Sequence, residues 1–185
     1  MLGSVALLTT AYARLAGAAP EVSTGLIVGV AGNGDRSDIW SSTNFEAGFR
    51  GDLLWGRSRD ADFGIGPYAE ILTTTAFSDF QAGGGVSLLL PVSAYLPLVL
   101  SSGAYASRSS AWGWEPGLAA NIFCGSRSYN YHSTYSLAVG LFVDGRYALG
   151  ESREVSLIAG ARIDLELVGL PFLLIYEAIR GGNPP

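Results

Sequence analysis

From Val22 onward, apolar side chains recur at every second position, in eight blocks joined by short, turn-rich links. The last block is among the longest. Its odd positions, Val155, Leu157, Ala159, Ala161, Ile163, Leu165 and Leu167, are all apolar. Its even positions are Ser156, Ile158, Gly160, Arg162, Asp164 and Glu166. A period of two means a β-strand, because successive side chains leave a strand on opposite faces. The block is longer than the usual strand of about five or six residues. It suits the roughly 9–11 tilted residues with which a strand crosses a bilayer.

The other blocks read the same way. Val22, Thr24, Leu26, Val28 and Val30 oppose Ser23, Gly25 and Gly29, and Asn33-Gly34 follows as a hairpin signal. Phe45, Ala47, Phe49, Gly51, Leu53 and Trp55 oppose Asn44, Glu46, Gly48, Arg50 and Asp52. Phe63 to Thr73 places Asp62, Gly64, Gly66, Tyr68 and Glu70 on its second face, and Phe80 to Leu90 does so with Gln81, Gly83, Gly85 and Ser87. Leu96 to Ala106, Trp112 to Cys124 and Tyr135 to Val143 complete the set, with Glu115 and Asp144 on the polar faces. Eight strands with short links predict an all-β antiparallel meander.

A closed meander can face either way. A soluble lipocalin-like barrel turns its apolar face inward. An outer-membrane barrel turns it outward to lipid. The second face decides for the membrane barrel. A water-exposed sheet surface is normally rich in Thr, Lys, Glu and Arg. Here it carries Gly25, Gly29, Gly48, Gly64, Gly66, Gly83, Gly85, Gly103, Gly117, Gly140 and Gly160, with a few charges between them. Glycine weakens a strand, so such a run marks a place where space is short, as inside an eight-stranded barrel. Aromatic residues fall at the strand ends. Phe45, Phe80, Trp112, Trp114 and Tyr147 belong to one rim, and Trp55, Phe63, Tyr95 and Tyr135 to the other. Two belts are what the two membrane interfaces favour.

Composition narrows the field. Of 185 residues, 49% are hydrophobic and only 15% charged, yet no apolar run is long enough for a membrane helix. There is no lysine, which excludes Schiff-base chemistry and a phosphate-loop lysine. A net charge of −5 with scattered arginines gives no basic patch, so nucleic acid is not an expected partner. Cys124 is the lone cysteine. Residues 1–18, with the apolar run Val5-Ala6-Leu7-Leu8 and then Ala16-Gly17-Ala18, read as a secretory signal cut after Ala18.

Over residues 21 to 167 the chain resembles the small eight-stranded outer-membrane barrel proteins of Gram-negative bacteria. The likeness rests on alternation, aromatic girdles and a signal-like start. The terminal strand is similar in part to the sorting pattern of that class, with Gly160 followed by Ile163 and Leu165, although Ile158 stands where that pattern has a polar residue. The resemblance implies an up-and-down transmembrane barrel in residues 19–169, membrane lipids as partners, and location in the bacterial outer membrane. Residues 170–185 then hold a short helix, Leu170 to Gly181, with Pro171 near its start and Gly181 at its stop. It is apolar nearly all round and is expected to be buried or to lie at the inner interface.

Candidate chemistry is sparse. His132 beside Ser133 could serve a lipid-modifying enzyme, but no acid stands obviously near, and a solvated turn histidine is the plainer reading. Asp35 and Asp38 could touch a divalent cation, but they lack a ligand frame and read as solubilising loop residues. More informative are the inward charges Glu46, Arg50, Asp52, Glu70, Glu115, Arg162, Asp164 and Glu166. Charges in a narrow lumen must pair or reach water. They form either a structural ion-pair network or a narrow porin-like polar pathway. Six acids against two arginines would make such a pathway cation-favouring. Eight strands leave room for little beyond side chains, so the structural network is expected. The reading is a structural or interaction protein of the outer membrane, not an enzyme, without cofactor or metal. A lipid-modifying enzyme and a soluble lipocalin-like carrier of an apolar ligand are the alternatives.

Overall fold

The computed structural model describes residues 20–35, 37–56, 62–74, 79–92, 98–109, 113–129 and 136–180. The strands are β1 (Glu21–Gly34), β2 (Ser42–Leu54), β3 (Gly64–Thr74), β4 (Phe80–Leu90), β5 (Leu98–Ser109), β6 (Gly113–Tyr129), β7 (Ser136–Ala148) and β8 (Val155–Asp164). Each pairs antiparallel with the next, and β1 also pairs with β8, which closes the barrel. The β1–β2 and β7–β8 links mark what we call the upper rim; Glu21, Leu54 and Asp164 lie at the lower.

The stagger of the barrel can be walked through its pairs. Ser23 faces Asp52, then Tyr68, Gly85, Gly103, Ala119, Arg146 and Ser156 follow in turn, and the circuit returns to β1 at Asn33, ten residues beyond its start. Ten residues at about 3.3 Å each, spread over eight strand spacings of about 4.8 Å, tilt the strands by roughly 40°. At that stagger the lumen holds side chains rather than a wide channel.

Two prolines sit inside strands without cost because of where the ladders stop. The β2–β3 pairing runs to Asp52↔Tyr68 and breaks beside Pro67, which has no N–H to give; it resumes with the Trp55↔Ile65 bridge. Pro116 lies just past the last β6–β7 pair, Gly117↔Ala148, and only its carbonyl is used there, accepting from the Leu149 N–H at 2.8 Å.

Burial alternates along the strands. In β3 every second residue from Gly64 to Thr74 is buried. Phe45, Phe49, Ile65, Ile71, Val86, Leu118, Ile122, Leu141 and Val143 are exposed on the outer wall. The interior is not purely polar. Ile27, Ala31, Leu54, Leu72, Leu89, Val99, Phe123, Phe142 and Ile158 form one buried apolar cluster.

Several limits differ from the sequence expectation, among them β6, which runs to Tyr129 rather than Cys124. Strand β8 ends at Asp164, not Leu167, because the β7–β8 pairing stops at Val139↔Ile163 and the β1–β8 pairing at Gly25↔Asp164. Beyond that point β1 and β7 still run on as strand, to Glu21 and Ser136, but the chain leaves the sheet and continues as helix α1 (Leu165–Arg180), five residues earlier than expected, with Pro171 inside it. Strand β7 continues to Ala148, past Val143. Asn33-Gly34 is not the centre of a two-residue hairpin. Asn33 still pairs with Ser42 and Gly34 with Val155, and the link runs through Asp35 to Ser41. Residues 1–18, read in the sequence as a secretory signal, and Tyr95, Trp112, His132, Ser133 and Tyr135 lie outside the described residues.

Candidate functional site

The lumen is built in layers that begin at glycine. Without a Cβ, a glycine lets a ring lie against the wall. A Cβ on Gly125 would fall 2.6 Å from Phe123 Cζ, one on Gly103 would fall 2.7 Å from the Tyr68 hydroxyl, and one on Gly117 would strike the Tyr105 ring. Each of these rings in turn carries an arginine. The guanidinium of Arg50 lies 3.9 Å from the Tyr68 centroid, that of Arg146 5.2 Å from Tyr105, and that of Arg162 5.7 Å from Phe123. Cation–π attraction at desolvated sites is worth about 2 kcal/mol, so the rings help to offset the cost of burying three guanidinium groups.

The arginines then meet the acids in an alternating chain. Arg162 Nη2 reaches Asp52 Oδ2 at 2.7 Å, and Asp52 Oδ1 takes Arg50 Nη2 at 3.0 Å. Arg50 Nη1 stands 3.4 Å from Glu70 Oε2, Glu70 Oε1 takes Arg146 Nη2 at 2.6 Å, and Arg146 holds Asp144 Oδ2 at 2.8 Å. Three cations and three anions thus alternate across β8, β2, β3 and β7, all of them buried. Ser87 and Ser101 add hydrogen bonds around Arg50 and Asp52. Both hydroxyls accept from Arg50 Nη2, at 2.9 and 2.5 Å, and Ser87 donates to Asp52 Oδ1 at 2.6 Å.

Of the eight charges expected inside, seven are buried there: Glu46, Arg50, Asp52, Glu70, Glu115, Arg162 and Asp164. Glu166 lies in α1 rather than on β8, and its side chain is outside the described residues. Arg50 pairs with Asp52, its near neighbour on the same strand. Arg162 turns to Asp52 across the β1 strand and to the Ser23 hydroxyl at 3.1 Å. Arg146 is the residue that the sequence reading missed, together with its neighbour Asp144 as a network member. The signal was present: Asp144 and Arg146 continue the inward parity of β7, which was read as ending at Val143.

Glu46 stands apart. It is 1% exposed, and neither carboxyl oxygen has a hydrogen-bond partner among the described residues. Arg146, the base that acts on it most, already commits its donors to Asp144, Glu70 and Gln81. Asp144 Oδ1 and Arg162 Nε are likewise buried without a partner.

Above the network the upper rim opens into a polar vestibule of about 280 Å³, lined among others by Asn44, Thr74, Gln81, Arg108, Glu115 and Glu154. Glu115 accepts from the Ser152 N–H at 3.0 Å. In the link after β7, burial pushes the Glu154 carboxyl above its ordinary value. At the lower rim, buried Leu54, Leu89 and Val99 occupy the interior. Asp35, which the sequence offered to a cation, is used as a turn cap. Its Oδ1 accepts from the Ser37 N–H at 2.8 Å, the Ser37 hydroxyl at 2.6 Å and the Asp38 N–H at 2.9 Å. Among the described residues no group of three or more His, Cys, Asp or Glu side chains converges as a metal site.

Fold and interior together define a closed eight-stranded barrel packed with an ion-pair chain. Comparison with protein-family models gives no match for this chain, and comparison with curated proteins gives none either.

Proposed function

We propose that the protein is an outer-membrane β-barrel with a structural or interaction role, its lumen filled by the charge network rather than open as a pore. The observation that carries this is the height of the exposed apolar band. Phe45 and Trp55 face outward on the same strand line, ten residues apart. With the strands tilted by roughly 40°, they stand about 25 Å apart along the barrel axis, the height of the apolar band on outer-membrane barrels. Between those levels the wall is Phe49, Ile71, Val86, Ile122, Leu141 and Val143, all exposed. Phe80 and Trp114, edge to face with centroids 6.4 Å apart, continue the upper girdle. Trp40 joins it by folding its ring over Gly32. An exposed apolar patch of this extent on a soluble protein would be an aggregation liability.

The helix fits the same setting. Phe172, Ile175, Tyr176 and Ile179 are exposed at the spacing of one helical face, beside the lower rim. In this reading they lie in the inner interface, with Arg180 close over the Tyr176 ring at headgroup level. A lipocalin-like carrier would need an apolar cavity for its ligand; the ion-pair chain across the lumen favours the membrane reading over it. The enzyme alternative depends on His132 and Ser133, and nothing among the described residues adds to it.

The test is to fold the full chain in detergent. An unheated sample should migrate faster on gel electrophoresis than a boiled one, and the folded protein should partition into the detergent phase. A folded barrel that stays in the aqueous phase would overturn the membrane assignment in favour of the carrier.

A further inference from the structure

We infer that the upper vestibule is a binding site for a small organic cation carrying ammonium groups. The inference does not depend on whether the outer wall faces lipid, since the vestibule belongs to the interior. Its wall carries three acids, Asp79, Glu115 and Glu154, against one base, Arg108. An acidic rim alone is only a solvated edge. The independent observation is Glu46. On β2 the inward position above it is Asn44, a vestibule wall residue, and its register partner on β3 is Thr74, another. Glu46 therefore lies one pleat below the vestibule floor, buried, with both oxygens unpartnered among the described residues. A buried carboxylate without a hydrogen bond is strongly unfavourable, and the neighbouring Arg146 directs its hydrogen bonds to Asp144, Glu70 and Gln81 rather than to Glu46.

The balance of charge tells which ligand fits. The six-membered chain beneath is neutral by itself, three arginines against three acids. The potential in the vestibule is then set by Glu46 below and the rim acids above, which focus a negative field into a narrow polar cup. Among the described residues the acids are spread along the wall instead of converging on one point, so a compact divalent ion finds no ligand cage there. An extended cation is better matched. One ammonium would sit toward Glu46, and a second between Glu115 and Glu154. Asn33, Gln81 and Ser107 on the wall offer hydrogen bonds along its length.

The probe is 1,4-diaminobutane, titrated calorimetrically into the full chain folded in detergent at fixed ionic strength, with 1,4-butanediol as its uncharged counterpart. The diamine should bind saturably and the diol should not. Glu115→Gln with Glu154→Gln should weaken the diamine at least 10-fold, because each amide keeps its hydrogen-bond acceptor and loses only the charge. Glu46→Gln should weaken it several-fold while circular dichroism and gel mobility stay unchanged. Equal binding of diol and diamine, absence of saturation, or unchanged affinity in folded charge variants would each overturn the site.

Discussion

Inside this barrel a residue's role is set by what stands behind it. Arg146 shows how far the dependence reaches, since it stacks on Tyr105, which needs Gly117 bare, and holds Glu70 and Asp144 together. Arg146→Ala should leave two acids buried beside a third, Glu46, at a cost of about 3–5 kcal/mol. Arg146→Lys should recover little of it, because a single ammonium cannot reproduce the fork shared between two carboxylates and Gln81. Urea titration of the folded chain in lipid vesicles measures both. If Arg146→Ala unfolds at the wild-type midpoint, the chain of charges is not structural. At the opposite extreme of exposure, the Ser37 hydroxyl and the backbone N–H groups of Asp38 and Ser37 hold the Asp35 carboxyl below the usual carboxylate range. A depressed pKa stabilises the turn above the ordinary value, and that order is lost as the pH falls through the folded one. The amide resonances of Ser37 and Asp38 should therefore move together only below the ordinary carboxylate range. If they move at the ordinary carboxylate pH, the cap does not form in solution.

At the level of the strand, the outer wall makes the sharper prediction. Leu141 is 71% exposed near the middle of the apolar band, whereas Leu149 is exposed beyond the upper end of β7. In a bilayer Leu141→Arg should cost roughly 2–4 kcal/mol and Leu149→Arg about 0–1, because the penalty for a guanidinium falls from midplane to interface. Equal costs at the two depths, read from vesicle folding titrations, would mean that lipid does not cover this wall. Strand lengths follow a related logic. β8 stops at Asp164 although β1 and β7 continue as strand beside it, and Leu165 and Leu167, alternating like the strand before them, become helix instead. The run from Leu165 is rich in Leu and Glu, good helix formers, so local propensity rather than a lost ladder accounts for the change.

Taken as a whole, the molecule is a cylinder whose lower interior holds apolar side chains beside Asp164 and whose middle is cross-linked by charge. Leu54, Leu89 and Val99 are buried below, the ion-pair chain lies across the middle, and open space gathers in the vestibule above. Planar-bilayer recordings of the full chain should therefore show no sustained conductance. A stable cation-selective current would replace the structural reading of the lumen with a pathway for small solutes.

The alternation from Val22 to Asp164 was enough to determine the number of strands, their antiparallel order and which residues share a face, because a period of two leaves a strand no other choice. Tyr68, Glu70, Arg50 and Arg162 could all be assigned to one face from parity alone, and the glycines on that face signalled a crowded interior. Parity does not say which residues meet across a lumen. That Arg162 would choose Asp52 rather than Asp164 depends on the ten-residue stagger, which no single strand encodes; it is the sum of eight registers. The same sum left both Glu46 oxygens buried without a partner among the described residues, while Arg146 on the longer β7 was brought to Glu70 and Asp144. Local pattern decides the face of a side chain. Closure of the barrel decides its neighbours.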